Sequence, residues 1–299
     1  MYGSGVMTDI HIIGAGMSGL LAANMLRRHR VTVFEKQEQL PNNHHAVLRF
    51  RTPEIGNILG IPFKKVNMIK TYEPYMNVVA DSLSYSRKCT GKYLSDRSII
   101  TGTIQSERYI APQNLVEQMA ENVNVCYGTG FDPLKNKANI PVKAISTLPM
   151  PVLMALLEYE HDINFDSIPG WVFTGRILDC DAYVSILYPG PQVYSRATIT
   201  GDQIIVEFPN LGEIPDIVDL ANVYNSLGLY DCVVLDAEFK RQPYFKITEI
   251  DEAERKAFMR WATVTYGIYS LGRYATWRPK LLLDDLIHDV RKIEGWICK

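Results

Sequence analysis

No apolar stretch in this sequence approaches the roughly 20 residues a helix needs to cross a bilayer, so no transmembrane helix is expected. Cysteine is scarce and scattered: Cys89, Cys126, Cys180, Cys232 and Cys298 stand far apart, and no Cys-x-x-Cys pair occurs. That spacing argues against a disulfide framework or a cysteine zinc site, and predicts reduced thiols packed as small apolar groups in a cytoplasmic protein. An excess of one charge is also missing. A net charge of −2 excludes a protein that coats nucleic acid through bulk charge, although a local basic face remains open. There is no internal repeat, no low-complexity segment and no Ser-His-Asp arrangement. The first apolar stretch lacks a basic leader and contains a glycine turn, so it is read as part of the fold and not as a signal peptide. Met1 to Val6 are expected to form a disordered leader. What is present is 299 residues at 47% apolar content, enough for one large domain, or two closely joined ones, with a full core.

The most informative segment is His11-Ile12-Ile13-Gly14-Ala15-Gly16-Met17-Ser18-Gly19-Leu20, closed by Val31-Thr32-Val33-Phe34-Glu35. It predicts a strand, a phosphate-binding turn, a helix and a second strand. Gly14 permits a sharp turn, Gly16 removes a side chain where backbone must approach a pyrophosphate, and Gly19 lets the helix pack against the strand. The helix N-terminus then faces the anion, and Glu35 ends the second strand where an adenosine ribose can donate its hydroxyls. Both FAD and NAD satisfy these requirements.

After Glu35 the βαβ rhythm is lost. Leu40-Pro41-Asn42-Asn43 reads as a turn, and Thr52-Pro53 opens a segment of short β-like runs. A helix is predicted over Pro112 to Asn122 with the proline in its first turn, then a strand from Val123 to Tyr127 and a turn at Gly128-Thr129-Gly130. Val142 to Pro149 reads as a buried strand and Val152 to Glu158 as an apolar helix. From Trp171 to Phe245 the chain is β-rich, with meander strands at Ala182 to Tyr188, Gln192 to Thr200 and Gln203 to Phe208 and a hairpin turn at Thr200-Gly201-Asp202. Asp251 to Tyr266 is helical with Asp251 as its cap, and a last helix is expected from Leu282 to Ile293.

Three separated segments resemble the FAD-dependent flavoproteins that include amine oxidases, protoporphyrinogen oxidase and UDP-galactopyranose mutase. The first is the glycine turn (Gly14, Ala15, Gly16, Met17, Ser18, Gly19) through Glu35 and Lys36. The second is Ala144-Ile145-Ser146-Thr147-Leu148-Pro149, similar to the strand these proteins place near the adenine half. The third is Ser270-Leu271-Gly272-Arg273-Tyr274 followed by Leu283-Asp284-Asp285, similar to the mutase version of the C-terminal flavin segment. The resemblance implies an α/β fold in which a Rossmann-like FAD/NAD(P)-binding domain, from 8–40, 109–150 and 251–299, carries an inserted antiparallel β substrate domain from 41–108 and 151–250. It also implies FAD as cofactor, with Thr147, Gly272, Arg273, Leu283 and Asp284 beside it. For Asp284 a helix-cap role is equally open, and for Arg273 a surface ion pair. One departure stands out: family members follow the ribose acid with a glycine pair, whereas this chain has Pro41-Asn42-Asn43-His44-His45-Ala46-Val47-Leu48-Arg49. Asparagine can adopt the left-handed backbone that glycine would supply. Adjacent His44 and His45 are read as one solvated and one packed residue, and no metal site is expected.

Residues 49–108 carry ten Lys or Arg against five acids, so this stretch is about +5 and the remainder about −7. Arg49 and Arg51 are candidates for cofactor phosphate or for an anionic substrate, with surface pairing as the plainer alternative. Tyr72, Tyr75, Tyr85, Tyr93 and Tyr109 lie among these charges and suit either stacking or half-buried packing. Trp171, Trp261 and Trp277 are read first as core residues. The reading reached is an FAD-dependent oxidoreductase acting on a C–N bond of a small-molecule or nucleotide-type anionic substrate, with Arg273 and Tyr274 as candidate catalytic residues. The alternatives are a non-redox sugar mutase, a lyase acting on amino-acid-modified thymine in viral DNA, and an FAD-binding protein without catalysis.

Overall fold

The computed structural model describes residues 7–41, 48–94, 99, 102–130 and 143–298. Met1 to Val6, Arg97, Val142 and the stretch Asn42 to Val47, which includes both adjacent histidines, lie outside the described residues.

The chain opens with β1 (Asp9–Ile13), α1 (Met17–Met25) and β2 (Arg30–Phe34). A first excursion follows: β3 (Arg49–Phe50), α2 (Glu54–Leu59), β4 (Lys64–Tyr72), α3 (Val78–Thr90) and β5 (Ile104–Ile110). The chain returns through α4 (Leu115–Glu121), β6 (Val125–Cys126), β7 (Lys143–Ser146) and α5 (Met150–Leu156). A second excursion comprises β8 (Ser167–Ile177), β9 (Ala182–Leu187), β10 (Arg196–Gly201), β11 (Gln203–Pro209), α6 (Ile217–Ser226) and β12 (Val234–Ile247). α7 (Glu252–Tyr266), β13 (Ile268–Ser270), a short 3-10 turn (Leu283–Asp285) and α8 (Leu286–Ile297) complete it.

Two sheets result. The first is parallel throughout, in the order β13-β7-β1-β2-β6, as expected of a Rossmann-like unit. Ile10 and Ile12 of β1 are fully buried, and Leu20 and Leu21 of α1, Leu26 just after it and Val290 of α8 pack into the same core. Each such side chain contributes roughly 1.5–3 kcal/mol when removed from water. The second sheet has eight strands in the order β12-β8-β11-β10-β9-β4-β5-β3. It gathers strands from both excursions, and one face packs Phe173, Ile199, Val206 and Phe208 against Leu220 and Val223 of α6.

Several elements differ from the sequence expectation. The first excursion contains the helix α3 where only β-like runs were read; Asn77 caps it by accepting from the Ala80 N–H at 3.0 Å, and Tyr85 and Cys89 bury one face. The β-rich region likewise contains α6, capped by Asp216 accepting from the Val218 N–H. α4 begins at Leu115, and Pro112 sits in the preceding turn, its carbonyl accepting from the Leu115 N–H at 3.1 Å. The second sheet is not purely antiparallel: β4 and β9 pair in parallel, with Ile69 beside Val184 and Lys70 beside Ser185. The Gly201 hairpin turn, with φ of +67°, and the Asp251 cap stand as read.

Gly19 sets how closely α1 approaches β1: a Cβ there would stand 2.0 Å from the Gly14 carbonyl oxygen and 3.3 Å from Ile12. Gly19→Ala is therefore expected to push the helix off the strand and lower stability by about 1–3 kcal/mol, measured by urea denaturation.

Candidate functional site

The end of β1 shapes the site. Gly14 has φ of +98°, donates its N–H to the Phe34 carbonyl at 2.8 Å, and lies so close to Thr147 that a Cβ would meet Oγ1 at 2.4 Å. Gly16 is the N-cap of α1, with no side-chain cap, no acid in the first helical turn, and open space within 4 Å of where a Cβ would stand. The leading amides of α1 are thus left without side-chain acceptors on the open side, the arrangement that receives an anion. The buried Glu35 carboxylate accepts from the Ala15 N–H at 2.9 Å through one oxygen and from the Gln37 N–H at 2.9 Å through the other. A carboxylate has about four lone-pair positions, so acceptors remain for ribose hydroxyls.

These groups line one cleft of about 740 Å³, within the range of a cofactor or substrate pocket. Of the residues singled out in the sequence, Gly14, Gly16, Met17, Ser18, Glu35, Thr147, Arg273, Tyr274 and Leu283 line it. Ala15 is buried behind the turn, its N–H committed to Glu35, and Gly19 is packed on Gly14. Gly272, at φ of +104°, abuts the helix start, where a Cβ would meet Ser18 Oγ at 2.8 Å. Lys36 is exposed outside the cleft. Asp284 does not cap the 3-10 turn: that role falls to Asp285, which accepts from the Leu282 N–H at 2.9 Å, while Asp284 accepts from the Arg51 N–H at 3.1 Å. Burial pushes the Asp284 carboxyl above its ordinary value despite that bond.

Gln37, Arg241, Gln242 and Tyr244 also line the cleft and were not singled out in the sequence. The last three belong to β12, whose register against β8 shifts between Gln242 and Lys246, around Pro243. A proline inside a strand is the sequence mark of such a bulge. Beyond the shift, Tyr244 presents its carbonyl to the Tyr274 hydroxyl at 3.0 Å. Trp277 is fully buried and donates to the Thr248 carbonyl, Trp261 packs on Tyr159, and Trp171 packs with the second sheet's core.

Arg49 lies on the second sheet and does not line the cleft. Strand register puts Arg49, Arg108, Lys70 and Arg196 on one face of the sheet together with Glu207. Both ends of the sheet are tied to the cleft, β3 through the Arg51–Asp284 bond and β12 through Gln242 and Tyr244. Burial, and the neighbouring Arg108, Arg49, Arg196 and Arg51 charges, hold the Lys70 ammonium down to about 8.

The NAD(P)-binding Rossmann-like domain family matches residues 12–44. Comparison with curated proteins finds no match. Among solved structures, reduced UDP-galactopyranose mutase superposes with a TM-score of 0.64 at 12% identity, covering 97% of this chain and 96% of that one. Glycine oxidase from Bacillus cereus gives 0.57 at 13% identity over 97% and 95%, and a triple mutant of a flavin-dependent brominase gives 0.58 at 12% over 97% and 80%.

Lys70 yields a test of the basic face. Its folded-state pKa lies below the unfolded value, so the cost of its buried charge is fully present below about pH 8 and is relieved as pH rises from there toward 10.5. Lys70→Met is expected to be more stable than the parent protein at pH 7, and the difference in Tm should shrink by pH 10. The chain thus shares the fold of these solved structures, a Rossmann-like parallel sheet joined to a second, curled sheet.

Proposed function

We propose that the protein is an FAD-dependent oxidoreductase that oxidises a C–N bond in an amine or amino-acid-like group of an anionic substrate. The observation that carries this reading is the single cleft in which an uncapped helix start, a buried carboxylate and the Gly272-Arg273-Tyr274 segment meet. The residues fit FAD. The Met17 and Ser18 amides would receive the diphosphate, Glu35 the ribose hydroxyls, and Gly16 leaves the space a diphosphate needs. Bound FAD supplies a hydride acceptor for the carbon attached to nitrogen.

The protein's own part is position and polarity. Leu281, Leu282, Leu283 and Leu286 wall the cleft and exclude water. Arg273 brings a fixed positive charge to the same wall, and Tyr274 is oriented by the Tyr244 carbonyl. No strong base is required of the protein in this chemistry. Glycine oxidase supports the amine reading by the reaction in its name. A second reading, the non-redox sugar mutase, draws on the near full-length likeness to UDP-galactopyranose mutase and on the basic face, which suits a diphosphate. DNA carrying an amino-acid-modified thymine is a further anion for the trial.

The purified protein is expected to show a flavin absorbance band that bleaches anaerobically with an amine-bearing anionic compound and recovers in air. Gly16→Val should remove the band while lowering urea stability of the apoprotein by no more than about 1 kcal/mol, the cost of a poorer N-cap residue, since its side chain enters open space. Arg273→Met should keep the flavin and slow bleaching by about 10-fold or more. No band after adding FAD overturns the reading; bleaching by dithionite alone, with nucleotide-sugar turnover following, replaces it with the mutase.

A further inference from the structure

The strands of the second sheet bring together cations that outnumber the acids beside them among the described residues. Arg49 of β3 is half-buried, and among the described residues its guanidinium donates only to Met68 Sδ, at 3.0 Å, a weak acceptor. Lys70 of β4 makes no ion pair among the described residues. Arg108 of β5 donates to the carbonyl of Glu107, while the Glu107 carboxylate points to the opposite face, held by Lys65 and the Tyr109 hydroxyl. On β3, β4, β5, β9, β10 and β11 the one acid on the shared face is Glu207, and it already serves both Arg196 and Lys246. Arg49 reaches across β5 to the Met68 sulfur of β4, two residues from Lys70 on the same face, and Arg196 stands on that face two strands beyond β4.

Like charges drawn together under partial burial raise the free energy of the folded state unless something balances them. We infer that Arg49, Lys70, Arg108 and Arg196 form the seat of a phosphate or diphosphate group, and that the substrate carries that group at a distance from its reacting carbon. A monocarboxylate would leave most of the charge unbalanced. Two guanidinium forks in addition to Arg196 offer the bidentate geometry that phosphate oxygens accept. The inference rests on the flavoprotein reading only for where the substrate's other end lies; the seat is built from protein residues alone.

The test uses protein loaded with FAD, so that the start of α1 is already occupied, and calorimetric titration with inorganic pyrophosphate and with acetate at matched ionic strength. Pyrophosphate is expected to bind, and acetate not to. Arg49→Met and Lys70→Met should each weaken pyrophosphate binding by about 10-fold or more with flavin content unchanged. Equal binding of acetate, or full pyrophosphate affinity in both variants, overturns the inference. So does loss of flavin in Arg49→Met, because that result assigns Arg49 to the cofactor. Failure of the flavoprotein reading shows itself separately, as a parent protein that takes up no flavin.

Discussion

A side chain at position 19 would stand 2.0 Å from the Gly14 carbonyl oxygen, and this near-contact between α1 and the end of β1 governs the rest of the site. It fixes the direction in which the leading amides of α1 point. It also holds the turn so that the Ala15 N–H reaches the Glu35 carboxylate at the end of β2. Thr147, at the end of β7, closes the same turn from the other side, its hydroxyl donating to the Ile13 carbonyl at 2.7 Å. Three adjacent strand ends are thereby locked at one level, which is where ligands bind in open parallel sheets.

The second sheet is built on the opposite logic. Over β8, β10 and β11 one face is apolar and covered by α6, whereas the other face of the sheet collects arginine and lysine around Glu207. Burial stabilises the first arrangement; the second is tolerated because packing elsewhere holds the strands in place. Polar groups kept against their local free energy in this way mark where a protein trades stability for recognition.

The parallel sheet and its turn were legible in the sequence because each residue acts locally. Gly14 needs a positive φ, Gly19 needs proximity, and the apolar run from Ile10 to Ile13 needs burial, all within a few positions. The helix α3 was not legible by composition: its Val, Ser, Thr and Cys residues are poor helix formers, and packing of Tyr85 and Cys89 decides the outcome. Its cap, Asn77, and that of α6, Asp216, were the available signals. At the site, Arg241, Gln242 and Tyr244 reach the cleft from a strand of the second sheet that changes register between Gln242 and Lys246, and Asp284 meets a partner 233 residues earlier. Such contacts depend on topology and leave no periodic trace. The basic excess of residues 49–108 was visible as a sum, but its convergence with Arg196 on one sheet face required the strand order.

The parallel pairing of β4 with β9 has a consequence for biosynthesis. When β4 and β5 leave the ribosome, the partner that covers the open side of β4 has not been made. Unpaired backbone donors and acceptors between Ile69 and Tyr72 must wait for Val184 to Leu187, so this strand pair is a transient aggregation hazard. Charges in the strand pair itself, Lys64, Lys65, Lys70 and Arg108, keep nascent copies apart during that interval.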